Sequence, residues 1–166
     1  MNNCECLKPS INNNSSILIL GSMPGDKSLE MQQYYAHKQN RFWKLMGALC
    51  QYEDLHKESY EKRLKILLDK NFALWDVIES CLREGSSDSK IIDVIPNKII
   101  ELTEEYQNIQ IICLNGGTAA KFFKKHFPRL CNSQKIKIKE LPSTSSANAQ
   151  YSLDKLILLW RNAIFE

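Results

Sequence analysis

Apolar positions in this chain fall into two kinds of run, and their alternation sets the expected fold. Short runs at residues 17–20 and 109–114, and the stretch 71–76, read as buried strands, being too short for helices and punctuated by turn residues. Residues 136–140, Ile-Lys-Ile-Lys-Glu, alternate with the two-residue period of a strand that has one solvated face. Residues 41–50, 60–70, 118–127 and 151–165 instead space their apolar side chains at the helical period. A short helical turn is expected at 28–33, irregular chain at 34–39 and a loop at 84–89 following a turn of helix. Pro96 is expected in the first turn of a helix reaching about Tyr106. Residues 1–16, polar and rich in Asn and Ser, read as a poorly ordered or capping arm.

Strands alternating with helices imply a mostly parallel sheet covered on both faces. The expected fold class is α/β: a three-layer α/β/α sandwich around a mostly parallel four-stranded sheet, in one domain spanning 1–166. Two expected strands leave into loops of unusual composition. Gly21-Ser-Met-Pro-Gly25 follows the first, and Leu141-Pro-Ser-Thr-Ser-Ser-Ala-Asn148 follows the last. Loops at strand exits converge on the carboxyl edge of a parallel sheet, where open α/β sheets hold their ligands.

Composition narrows the class. The 166 residues, 43% hydrophobic and 25% charged, suffice to bury a core without disulfides or metal. No run reaches the roughly 18 apolar residues that cross a membrane, and the first residues lack the basic-then-apolar pattern of a secretory signal. A cytosolic protein with no membrane partner is expected. The six cysteines, at 4, 6, 50, 81, 113 and 131, include no C-x-x-C pair, and Cys113 lies inside an apolar run. They read as free thiols rather than a disulfide or metal framework.

Net charge is only +3, yet seven Lys or Arg fall between Gly117 and Lys139 without one acid. Such a stretch suits a polyanion, or equally a solvated helix face followed by a lysine-protected edge strand. Residues 21–28, Gly-Ser-Met-Pro-Gly-Asp-Lys-Ser, approach the phosphate-cradling G-x-x-x-x-G-K-S pattern. Asp26 stands where the second glycine is needed, and Pro24 lacks an N–H donor. Both argue against a nucleotide-hydrolysing site.

Four segments in order carry a family resemblance. They are Gly21-Ser-Met-Pro-Gly25; Tyr34-Tyr-Ala-His-Lys-Gln-Asn-Arg-Phe-Trp43; Ala73-Leu-Trp-Asp-Val77 with Cys81-x-Arg-x-Gly-Ser86; and Leu141-Pro-Ser-Thr-Ser145 with Ala147-Asn148. Leu114-Asn-Gly116 fits a later strand. From Ile17 onward the chain resembles the uracil-DNA glycosylase superfamily, most closely its hypoxanthine (deoxyinosine) branch. The resemblance implies a monofunctional DNA glycosylase of base-excision repair. It would flip a deaminated base, hypoxanthine favoured, out of DNA and remove it with water, using no metal and no cofactor. It also implies a monomer with no obligate protein partner. The alternatives are a mismatch-type uracil or thymine glycosylase, and a non-catalytic nucleic-acid binder of the same fold.

Residue roles follow from the same resemblance. Gly21, Ser22, Met23 and Pro24 would line the base pocket, with Tyr35 stacking on the base in place of its lost neighbours. Met23 occupies a position where many members of the superfamily carry an acid or amide to guide water, and it can do neither. Asn40 is the implied catalytic group, orienting water or donating to the departing base; it is also a good cap for a helix starting at Arg41. Asp76 would accept a hydrogen bond from an N–H of the base, or would pair with Arg83 or cap a turn. His37, Ser143, Thr144, Ser145 and Ser146 would contact DNA. Leu141 stands where uracil-specific relatives often carry a donating histidine, which favours a purine substrate. Residues 115–117, Asn-Gly-Gly, read as a tight strand-to-helix turn. No cysteine set matches an iron–sulfur member, and the loops offer no obvious lysine nucleophile.

Overall fold

The computed structural model describes residues 1–166. Its elements are β1 (Asn2–Glu5), β2 (Ile17–Gly21), α1 (Asp26–Met31), α2 (Phe42–Leu49), α3 (Tyr60–Asp69), β3 (Phe72–Asp76), β4 (Ile78–Arg83), β5 (Ile92–Pro96), α4 (Ile99–Glu105), β6 (Ile111–Asn115), α5 (Gly117–His126), α6 (Pro128–Cys131), β7 (Lys137–Leu141) and α7 (Leu153–Phe165). Four strands form an all-parallel sheet in the order β3-β2-β6-β7.

Period-two alternation within each central strand feeds two cores. Leu18, Leu20, Ala73, Ile112 and Leu114 face one side, against Ile99 and Leu102 of α4 and Ala119, Ala120 and Phe123 of α5. Ile17, Ile19, Phe72, Leu74 and Cys113 face the other, against Phe42, Leu45 and Met46 of α2, Leu67 of α3 and Trp160 of α7. A strand buried on both faces has no polar side to show, which is why these runs read as continuously apolar. Register sets Gly21 beside Asp76 and Asn115 beside Leu141 at the carboxyl edge. Four chain segments thus leave the sheet at one level.

A second sheet was not expected. β1, β4 and β5 pair antiparallel in the order β1-β4-β5, with Cys4 opposite Cys81. The first sixteen residues are therefore not a loose arm: Cys4 and Leu7 are buried, and Ser10 bridges Leu74. The turn of helix expected before residue 84 is instead β4, and Pro96 ends β5 rather than opening α4. Mixed polar strands of four to six residues carry too weak a period to declare themselves.

Candidate active site

A cavity of about 840 Å³ opens at the carboxyl edge of the parallel sheet. Its walls come from the loop after β2, the 34–40 segment, the end of β3, the 86–89 loop, the start of α5 and the loop after β7.

One wall is tied together by hydrogen bonds. Asn40 Oδ1 accepts from the Phe42 N–H at 2.9 Å, capping the first turn of α2, and from the Thr144 hydroxyl at 2.9 Å. Because the Phe42 amide can only donate, the amide orientation of Asn40 is fixed. Its Nδ2 hydrogens are left without a protein acceptor at the cavity wall. Thr144, fully buried, takes a hydrogen bond from Asn115 Nδ2 at 3.1 Å, and its own N–H donates to Asn115 Oδ1 at 3.0 Å. Asn115 Nδ2 also reaches the Tyr35 hydroxyl at 3.2 Å. Arg41 then fastens the loop after β7: its guanidinium donates to the carbonyls of Thr144, Ser145, Asn148 and Tyr151. Several charge-assisted bonds on one side chain hold the loop far more firmly than any single neutral one.

Tyr34 and Tyr35 divide their labour. Tyr34 is buried, its hydroxyl donating to the Lys8 carbonyl and its carbonyl receiving the Trp43 indole N–H. Tyr35 takes φ +54°, a left-handed conformation that bulky residues seldom adopt, and so turns its ring into the cavity wall. There it stacks on Phe42, ring centroids 3.8 Å apart and 20° between planes. Gly21 is required beneath it, because a Cβ at this position would come within 2.6 Å of Asp76 Oδ1 and 3.2 Å of the Tyr35 hydroxyl. Gly116, at φ +100°, lets α5 start directly under Ser143.

The opposite wall holds charge with few partners. Asp76 is 4% exposed, and its Oδ2 is buried without a hydrogen bond. Burial pushes its carboxyl up to about 7, with the Asp88 carboxylate adding to the rise and Arg83 partly offsetting it. Arg83 does not bond Asp76. Fully buried, it donates to the Pro24 carbonyl at 2.6 Å and the Gly85 carbonyl at 2.8 Å, lies 3.7 Å from Asp26, and leaves Nη1 unpartnered. It therefore braces the loop after β2 against the loop after β4. Ser22 adds a second tie, donating to Asp88 at 2.9 Å.

Every residue given a pocket, catalytic or DNA-contact role from sequence lines this cavity, whereas Leu141 packs into the core below it. Gly21, Ser22, Met23 and Pro24 form its buried floor, with Met23 also packed into the core. His37 is exposed at the rim, accepting the Gln39 N–H on Nδ1. Ser143 is half-buried, its hydroxyl accepting the Ser145 N–H, while the Ser145 hydroxyl accepts the Ala147 N–H and Ser146 is exposed. Thr144 corrects its expected role: at 0% exposure it cannot reach a phosphate, and it holds Asn40 instead. The pairing of Asp76 with Arg83 and the plain turn at 115–117 are likewise replaced. Arg41, Asn115 and Asp88 were missed as site residues, although Arg41 and Asn115 sat inside motifs already noted. The basic stretch contributes nothing to the walls. α5 carries it away from the cavity, β7 begins beside the start of β6, and Lys124 pairs with Glu140 at 2.8 Å. No three His, Cys, Asp or Glu side chains gather as a metal cradle.

Comparison with known proteins places this arrangement. The model of the uracil DNA glycosylase superfamily matches residues 9–163. The chain belongs to the uracil DNA glycosylase superfamily. It is 39% identical over 145 residues to a hypoxanthine DNA glycosylase of Methanosarcina acetivorans, covering 87% of this chain and 88% of that protein. It is 40% identical over 114 residues to a hypoxanthine DNA glycosylase of Methanosarcina barkeri, covering 69% and 72%. The solution NMR structure of a Methanosarcina acetivorans protein, described as a candidate uracil DNA glycosylase, superposes with a TM-score of 0.80 at 36% identity. It covers 98% of this chain and 99% of that one. The superfamily's mixed α/β fold with a four-stranded parallel sheet is thus this chain's fold. No helix is long and apolar enough to cross a membrane.

Proposed function

We propose that this chain is a monofunctional DNA glycosylase that extrudes a deaminated base, hypoxanthine first, and removes it hydrolytically from DNA. The observation that carries the reading is Asn40: an amide held by Phe42 and Thr144 so that its two N–H donors are free at the wall of a cavity large enough for a nucleobase. Cleaving the bond between sugar and base sends electron density into the leaving base and leaves a cation-like sugar. Fixed donors aimed at that density favour the transition state without reorganising. With Oδ1 fully engaged, Asn40 serves as a donor alone. It can steady negative charge on the base, or hold a water by its lone pair, but it cannot take the water's proton.

The remaining roles follow from position. Tyr35, backed by Phe42, supplies a ring surface for the flipped base, worth roughly 1–3 kcal/mol of stacking. Asp76 faces the base at the end of β3. His37, Ser143, Ser145 and Ser146 lie on loops at the cavity mouth, where a DNA backbone would pass.

The test is base release from duplexes carrying hypoxanthine, uracil or xanthine. Hypoxanthine is released by the wild type, and the Asn40→Ala variant loses that activity while still binding the duplex. No release from any of the three overturns the reading in favour of a non-catalytic binder; release of uracil but not hypoxanthine moves the substrate to the uracil class.

A further inference from the structure

Asp76 is the one buried carboxylate at this site without a hydrogen-bonding partner, and the proposed chemistry above leaves its protonation state open. Its surroundings narrow that state. Register sets it beside Gly21, with no side chain between the carboxylate and the floor of the cavity. Asn97 Nδ2 donates to the Asp76 backbone carbonyl at 2.8 Å and to Cys6 Sγ at 3.3 Å, and does not bond the Asp76 carboxyl. The neighbouring phenols of Tyr34, Tyr35 and Tyr60 and the thiol of Cys6 are all pushed above their ordinary values by burial, and so are uncharged at neutral pH. The charged groups it feels are Asp88, which opposes ionisation, and Arg83, which favours it but donates through Nε and Nη2 to Gly85 and Pro24 and makes no hydrogen bond to the carboxylate. An ionised carboxylate here would be a desolvated charge with no donor, an arrangement that folded proteins avoid.

Resting on the glycosylase reading, we infer that Asp76 engages the base as a neutral carboxylic acid, donating through its O–H and accepting through its C=O. A neutral acid matches a lactam edge, where a ring N–H stands next to a carbonyl oxygen, with two parallel hydrogen bonds. Hypoxanthine presents such an edge at N1–H and O6. An ionised Asp76 would accept from the N–H but set a second anionic oxygen against the carbonyl. Base recognition is then titratable, and the residue determines specificity as well as lining the pocket.

The experiment is kcat/KM for base release from a deoxyinosine duplex between pH 5.5 and 8.5, for the wild type, Asp76→Asn and Asp76→Ala. Wild-type kcat/KM falls about thirtyfold from pH 6 to 8.5, as a one-proton group with a midpoint near 7 requires. The amide of Asp76→Asn offers the same donor and acceptor without titrating. It retains release within about tenfold of the wild-type value at pH 6 and loses the alkaline fall, while Asp76→Ala loses release by about a hundredfold or more. A flat wild-type profile, an unchanged alkaline fall in Asp76→Asn, or complete loss in a folded Asp76→Asn overturns the inference and leaves the glycosylase reading standing. No release by the wild type from any lesion duplex overturns that reading itself, and the inference with it. Carbon-13 titration of the wild-type carboxyl needs no variant. A midpoint between about 6 and 8 that rises on binding a duplex with an uncleavable deoxyinosine analogue supports the inference; a midpoint below about 5, or one that falls on binding, overturns it.

Discussion

The two walls of the cavity are built on opposite principles. The wall around Asn40 pairs its polar atoms except the Nδ2 donors it presents to the cavity: Asn115, Thr144, Asn40 and Arg41 form a connected set of donors and acceptors that ties α2, β6 and the loop after β7 into one frame. The wall around Asp76 leaves polar atoms buried and unpaired, both on Asp76 and on Arg83. A satisfied network fixes geometry, whereas a desolvated group without a partner stores free energy that a ligand can release. One wall holds a donor still, and the other keeps a buried acid without a partner.

Breaking the satisfied wall at its tip gives the largest expected effect. Asn40→Ala removes a fixed donor, and single-turnover release falls by roughly 10²–10³ with little change in melting temperature beyond the lost cap. On the unsatisfied wall the sign reverses. The folded chain holds the Asp76 proton more tightly than the unfolded chain does, so the wild type is stabilised by this group below about pH 4 and loses that stability as pH rises toward 7. At about 1.4 kcal/mol per pH unit, Asp76→Asn gains roughly 4 kcal/mol relative to the wild type between pH 4 and pH 8, read by urea melts at the two values. A constant difference across that range contradicts the buried-charge account.

Removing the fastening of the frame costs less. Arg41→Gln loses charge-assisted bonds to the loop after β7 and about 2 kcal/mol of stability, with base release dropping alongside. Smallest of all, Thr144→Val deletes one buried tether of Asn40 and slows release about fivefold to tenfold, roughly 1 kcal/mol, while duplex affinity stays the same. Weakened duplex binding in that variant would restore the phosphate-contact role instead.

How much of this was legible in sequence follows the same division. Ile17, Leu20, Ile112 and Leu114 announced the parallel sheet because both their neighbours and their alternates are apolar, and the Gly and Pro residues after β2 announced the edge where the cavity opens. The antiparallel sheet stayed hidden because Asn2, Asn3, Glu79 and Ser80 interrupt strands too short to show a period. At the site, residue types were readable and partnerships were not. Nothing local links Asn40 to Thr144, 104 positions away, or separates Arg83 from Asp76 when the two lie seven residues apart. The basic stretch misled for the same reason: seven cations close in sequence are spread along α5, α6, β7 and the loop before β7, and none lines the cavity.

A structure of the protein on a duplex with an uncleavable deoxyinosine analogue tests the central claim most directly. The extruded base should lie against Tyr35, with Asn40 Nδ2 about 3 Å from the base or from a water beside the sugar carbon. A base left stacked in the duplex, or seated elsewhere with Asn40 still bonded only to Phe42 and Thr144, would contradict it.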